Sequence, residues 1–177
     1  MNTAYFNSTI HELNEAATYL NKYSAYVNNE IASIESQPLP PGITALPGML
    51  SPCGQLALLA VQLTEKIANI SSKTTKNINK ANADIPAMQE QILTQLSTLE
   101  ALMISPTDLP SVLTWIKKVI NTFSGPYATY TGQQATLVAQ EALLAAAVTR
   151  LATAITTASS TLTTAITDAQ NKLGCII

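Results

Sequence analysis

Charge is the scarcest ingredient of this 177-residue chain. Asp, Glu, Lys and Arg make up 11% of it, against roughly a quarter in an ordinary soluble domain. Nine cationic and eleven anionic side chains leave a net charge of -2. A nucleic-acid coat draws its affinity from many cationic phosphate contacts, so the charge balance argues against that class. Histidine occurs once, as His11. A zinc-protease helix needs a second histidine four residues on, and a di-iron bundle needs Glu-x-x-His from two helices. His11, in His-Glu-Leu-Asn-Glu, offers neither and reads as part of a solvated helix face. With six glycines in all, no Gly-rich phosphate loop is present. General acid-base chemistry has almost no candidates. We expect a non-enzyme with no catalytic residue, cofactor, metal site or small-molecule substrate.

Cysteine is equally sparse. Cys53 and Cys175 are the two thiols, far apart and without a CxxC pair or a neighbouring histidine, so two free thiols are expected. The start, MNTAYFNSTIHELNEAA, lacks the basic and apolar blocks of a secretory signal. No export by that route and no transmembrane helix are expected. The ending Gly174-Cys175-Ile176-Ile177 places its cysteine one position short of a prenylation box.

Apolar periodicity is abundant. Phe6, Ile10, Leu13, Ala17, Leu20, Ser24, Val27, Ile31 and Ile34 recur at alternating spacings of four and three. That seam predicts a helix from near Thr3 to near Ser36, about 50 Å long. Five prolines between Gln37 and Pro52 then predict an extended connector over 37–52. A second helix follows from about Cys53 to Ala81 on Leu56, Leu59, Leu63, Ile67, Ile70, Thr74 and Ile78. Asp84 before Ile85-Pro86 reads as the cap of a third, with Met88, Ile92, Leu96, Leu99 and Met103 on its core face. Thr107 or Asp108 caps a short fourth, whose inward face is Leu109, Val112, Leu113, Ile116, Ile120 and Phe123. Ser124-Gly125-Pro126 breaks the chain, and a last helix of about 40 residues runs from near Thr131 to Leu173. Its core is predicted at Leu137, Leu144, Val148, Leu151, Ile155, Ala158, Leu162, Ala165 and Ala169. No strand signal competes. The expected architecture is all-α: one domain over 1–177, an elongated bundle of four to five helices, with the long first and last helices packed lengthwise.

Two features bear on association. Tyr19, Tyr23 and Tyr26 share one face beside the first seam and read equally as helix packing or as subunit contact, since a tyrosine ring packs while its hydroxyl bonds. Lys66, Lys73, Lys76 and Lys80 form a cationic stripe, expected to pair with Glu12, Glu15 or Glu30. Outer helix faces carry Thr, Ser, Asn and Gln where a solitary bundle would carry charge. Neutral polar faces are cheap to bury against copies of themselves, since no ion is desolvated. In this the composition resembles that of helical structural proteins of virions, phage tails and self-assembled tubes.

The function expected is therefore a structural or assembly subunit, in a virion or an intracellular assembly, whose partners are copies of itself and other structural proteins. Ile43, Leu46, Met49 and Leu50 in the connector, and Cys175, Ile176 and Ile177 in the tail, are the apolar groups expected at subunit interfaces. The alternative is a membrane-active protein. Ser36 to Thr64 is 29 residues without a charge, and region 37–64 would then be its insertion tip.

Overall fold

The computed structural model describes residues 4–38, 50–101 and 109–175. These are helical almost throughout: α1 Ala4–Glu35, α2 Pro52–Ala101, α3 Leu109–Thr122 and α4 Ala128–Lys172, with a π-turn at Phe123–Tyr127. Because the π-turn joins α3 to α4 without a break, there are three continuous helical runs among the described residues rather than four to five helices. No strand is present among them.

Two expected breaks are absent, and both involve proline. Pro86 lies inside α2, so the second and third predicted helices are one. An interior proline removes a backbone donor and costs a helix ~3 kcal/mol or more. Here the ring is exposed, and the buried Ala81, Ile85 and Ile92 on the opposite side hold both halves in register. Asp84 is no cap; its carboxylate accepts from Lys80 one turn back. At Ser124-Gly125-Pro126 the chain widens into the π-turn, a usual way for a helix to absorb a local fault without ending. The caps proposed at Thr107 and Asp108 lie outside the described residues, as does Met103.

The starts and ends of the helices follow local chemistry. Pro52 sits at the first position of α2, where no donor is missed, and the Ser51 hydroxyl accepts the Gly54 backbone N–H at 3.2 Å as an N-cap. At the end of α4, Gly174 has φ +68°. The Gly174 N–H bonds to the Asn171 carbonyl and the Cys175 N–H to that of Gln170, at 3.1 and 2.9 Å. This is the Schellman arrangement, and its left-handed position favours glycine. Threonine hydroxyls in α4 bond back to carbonyls one turn earlier, as at Thr136 and Thr153, which leaves threonine's modest helix-propensity cost in place for tertiary packing to offset.

The helices divide into two compact units. The first comprises residues 10–38 of the α1 region, 50–76 of α2 and 146–175 of the α4 region. Leu13, Ala17, Leu20, Val27, Ile31 and Ile34 meet Leu56, Leu59, Leu63, Ala147, Leu151, Ala154, Ala158, Leu162, Ile166 and Ala169 in its core. Cross-links give the directions. Lys73 pairs with Glu12 at 3.1 Å and Gln55 exchanges amide hydrogen bonds with Gln37, so α2 runs against α1. Lys172 pairs with Glu35 and Arg150 reaches Asn14, so α4 runs with α1 along its length, as expected of the first and last helices.

Cys53 and Cys175 close this unit as a disulfide, with Cα atoms 5.6 Å apart. The two free thiols expected from spacing are therefore corrected. Topology brings the start of α2 beside the end of α4, and the turn at Gly174 delivers Cys175 there. Cys175 thus serves a bond within the chain, although it was expected at an interface.

The second unit comprises 4–9, 77–101 and 109–145. Phe6, Ala81, Ile85, Ile92, Leu96, Leu137 and Leu144 form its core. The Gln89 amide donates to Glu141 at 3.0 Å, and the Tyr127 hydroxyl donates to Glu100 at 3.1 Å. Helix α3 departs from expectation: Ile116, Ile120 and Phe123, predicted inward, are 39%, 60% and 51% exposed. One helical run, Thr114–Lys172, is long and apolar enough by length and composition to cross a membrane, and 28% of its most apolar 18-residue window is buried. The expectation was of no transmembrane helix, and this run is a candidate for one by length and composition alone.

Candidate association surface

α1 presents tyrosines at intervals of four and three, which places them on one side of the helix. The structure gathers all three into a ladder. Tyr19 and Tyr23 stack with ring centroids 6.1 Å apart and planes within 7°, and Tyr23 and Tyr26 follow at 5.9 Å and 28°. Tyr19 and Tyr26 are 42% and 50% exposed, so the ladder is a surface and not part of the core. Lys66 of α2 reaches across, its ammonium 5.6 and 5.9 Å from the Tyr19 and Tyr23 ring centres, within the range of cation–π attraction.

The electrostatics of the ladder follow from this contact. A hydrogen bond to Tyr19, and then the charge interaction with it, hold Lys66 above its ordinary pKa. Partial burial pushes the Tyr23 hydroxyl up, while Lys66 pulls it the other way. The ladder therefore holds the Lys66 cation against the Tyr19 and Tyr23 rings.

Two open grooves flank the ladder between α1 and α2. One is lined by Glu12, Glu15, Tyr19, Lys22 and Lys73 among others, the second by Tyr23, Tyr26, Gln62, Glu65 and Lys66 with Asn69. Together they hold three lysines and three glutamates, a balanced set. Leu58 lies one turn from Gln62 and is 45% exposed, with Val61 at 54% beside it. The uncharged stretch expected as a lipid tip thus contributes two apolar side chains to this same surface.

Of the lysine stripe, Lys73 meets Glu12 as expected, whereas Lys66 turns to the tyrosines and Lys80 to Asp84 and the Tyr5 ring, 4.5 Å from its centre. His11 faces Glu15 at 3.2 Å with both side chains about 70% exposed, in keeping with a solvated helix face. Among the described residues no three His, Cys, Asp or Glu side chains gather into a metal-holding group. Leu50 is 50% exposed. Ile43, Leu46, Met49, Ile176 and Ile177 lie outside the described residues. Comparison with known protein families, with curated proteins and with solved structures finds no match.

Sequence reasoning found the tyrosines by their spacing. It missed Lys66 as their partner, because the register between α1 and α2 that brings position 66 beside 19 and 23 is a tertiary fact.

Proposed function

We propose that the chain is a non-enzymatic structural subunit of a virus or phage particle, which associates with copies of itself through the α1–α2 face. The observation that carries this is the exposed tyrosine ladder set between charge-balanced grooves. Stacked aromatics supply rigid, amphipathic contact area. A surface holding three lysines and three glutamates is complementary to a rotated copy of itself, as an isologous contact requires. The Cys53–Cys175 disulfide supports the particle setting, since such bonds persist outside the reducing cytosol.

The test is the solution mass of the parent and of Tyr19→Ala with Tyr26→Ala, by light scattering and sedimentation velocity. Both side chains are exposed, so the variant keeps its fold. The parent is expected to assemble, with rings, tubes or filaments in negative stain, and the variant to shift toward the 18.8 kDa monomer. A parent that stays monomeric at micromolar concentrations, or a variant that assembles like it, refutes the proposal.

A further inference from the structure

The disulfide of the first unit joins two unlike helix ends. Ser51 caps α2, so Cys53 is the second residue of that helix. Cys175 follows the last turn of α4, where its N–H is bonded to the Gln170 carbonyl. Both cysteines are half-buried, yet their flanks differ. A side chain added at Gly54, beside Cys53, would touch Leu50 at 3.4 Å and the Ser51 hydroxyl at 3.5 Å, whereas one added at Gly174, beside Cys175, would meet no described residue within 4 Å. Charge near the bond is sparse. Residues 36–64 carry none, and on the α1 and α4 side Glu35 and Lys172 pair at 3.1 Å and offset each other. The helix ends therefore set the local field. A helix carries partial positive charge at its first turn and partial negative charge at its last, so a thiolate is favoured at Cys53 and disfavoured at Cys175.

From this we propose that Cys53–Cys175 is a redox clasp that a dithiol reductant opens in the folded protein, with Cys175 the sulfur attacked and Cys53 the leaving group. One thiolate of the dithiol attacks the Cys175 Sγ from its open flank. A sulfur–sulfur bond forms there, the bond to Cys53 breaks, and its electron pair leaves on Cys53 as thiolate. The second thiol of the reductant, as thiolate, then displaces Cys175. The dithiol ends as a disulfide, and its two electrons and two protons go to the cysteine pair. Exchange is faster at the more accessible sulfur and with the leaving thiol of lower pKa, and both favour this direction. The clasp thus stays closed in oxidising surroundings and opens in a reducing compartment without prior unfolding. The inference goes beyond the assembly reading and uses no residue of the tyrosine face. Its test reads sulfur chemistry and not solution mass, so the two fail separately.

The experiment exposes the oxidised full chain to excess glutathione, a monothiol that halts at the mixed disulfide, quenches early with N-ethylmaleimide and maps the adducts by peptide mass. Glutathione is expected on Cys175 and maleimide on Cys53, with the opposite product lower by about threefold or more, from the opposed fields at the two helix ends. With dithiothreitol as reductant, the opening rate should stay constant as urea is raised below the unfolding transition. In single variants, Cys53 of Cys175→Ser should be alkylated by iodoacetamide with a midpoint pH below that of Cys175 in Cys53→Ser. Glutathione shared evenly or found chiefly on Cys53 overturns the proposal, as do equal or reversed midpoints. So does opening that accelerates with urea in step with the unfolded fraction, for then the bond is reached only through unfolding.

Discussion

Opening the Cys53–Cys175 bond is the perturbation whose magnitude the fold fixes best. The two residues are 122 apart in sequence, so the bond closes most of the chain into one loop. In the chain-entropy treatment a loop of that size removes roughly 16 cal/mol/K from the unfolded ensemble, or about 5 kcal/mol at 25 °C. Spread over a domain of 150–250 residues, each kcal/mol moves Tm by roughly 2–4 °C. Cys53→Ser with Cys175→Ser should therefore lower Tm by about 10–20 °C, and reduction of the parent should do the same. The native contacts hold the variant in place: α2 still starts at its Ser51 cap, and the Gln37–Gln55 amide pair still joins α1 to α2. The helical circular dichroism signal below the transition should thus be unchanged. Intact mass after alkylation in denaturant reports the bond directly. Two alkylated cysteines in unreduced protein, or a double-serine variant melting with the parent, would refute both the bond and the loop argument built on it.

Two further perturbations test the core and the ionisable contacts. Leu151 is 2% exposed in the core of its unit, so Leu151→Ala should cost about 2–5 kcal/mol in urea or thermal unfolding. Ile155, one turn on, is half-buried, and Ile155→Ala should cost clearly less; equal losses would mean that α4 faces another way. At high pH, Tyr127 and Tyr23 should ionise above the ordinary tyrosine value, because the hydrogen bond to Glu100 raises the first and partial burial the second. A folded pKa above the unfolded one gives a contribution that is whole below about pH 10 and is lost as pH rises through the folded value. Tyrosinate absorbance of native and urea-unfolded protein checks this. An unchanged high-pH limb of the native titration for Tyr127→Phe would refute it.

Much of the helical plan was legible because periodic apolar spacing is a local signal. The α1 seam reads directly onto its buried side chains, with Phe6, Leu13, Leu20, Val27 and Ile34 inside and only Ile10 and Ser24 at the margin. The end of α4 was legible from Gly174 for the same reason. The two prolines misled because the rule that proline stops a helix prices the lost donor alone. At Pro86, side chains packed on the opposite face hold the rod together; at Pro126 the backbone widens instead. The disulfide was illegible in principle. Its partners are brought within 5.6 Å only by a topology in which α4 runs with α1 and against α2, and nothing in the spacing of two cysteines encodes that.

The misreading of α3 has a tertiary cause. Amphipathicity states that a helix has an apolar side, and a sequence reader assigns that side to the chain's own core because most such sides end there. Whether the chain supplies a covering partner is a separate, tertiary question. In α1 and α4 the answer is yes, and their apolar residues are buried against each other. In α3 the covering by the described residues stops at Trp115 and Val119, and Ile116, Ile120 and Phe123 beyond them stay exposed. The tyrosine ladder raises the same question. Balanced lysines and glutamates around the ladder suit a second copy, the occupant proposed for that face. Charged side chains of both signs ring the tyrosine ladder, and that is the ground on which self-association is proposed for it.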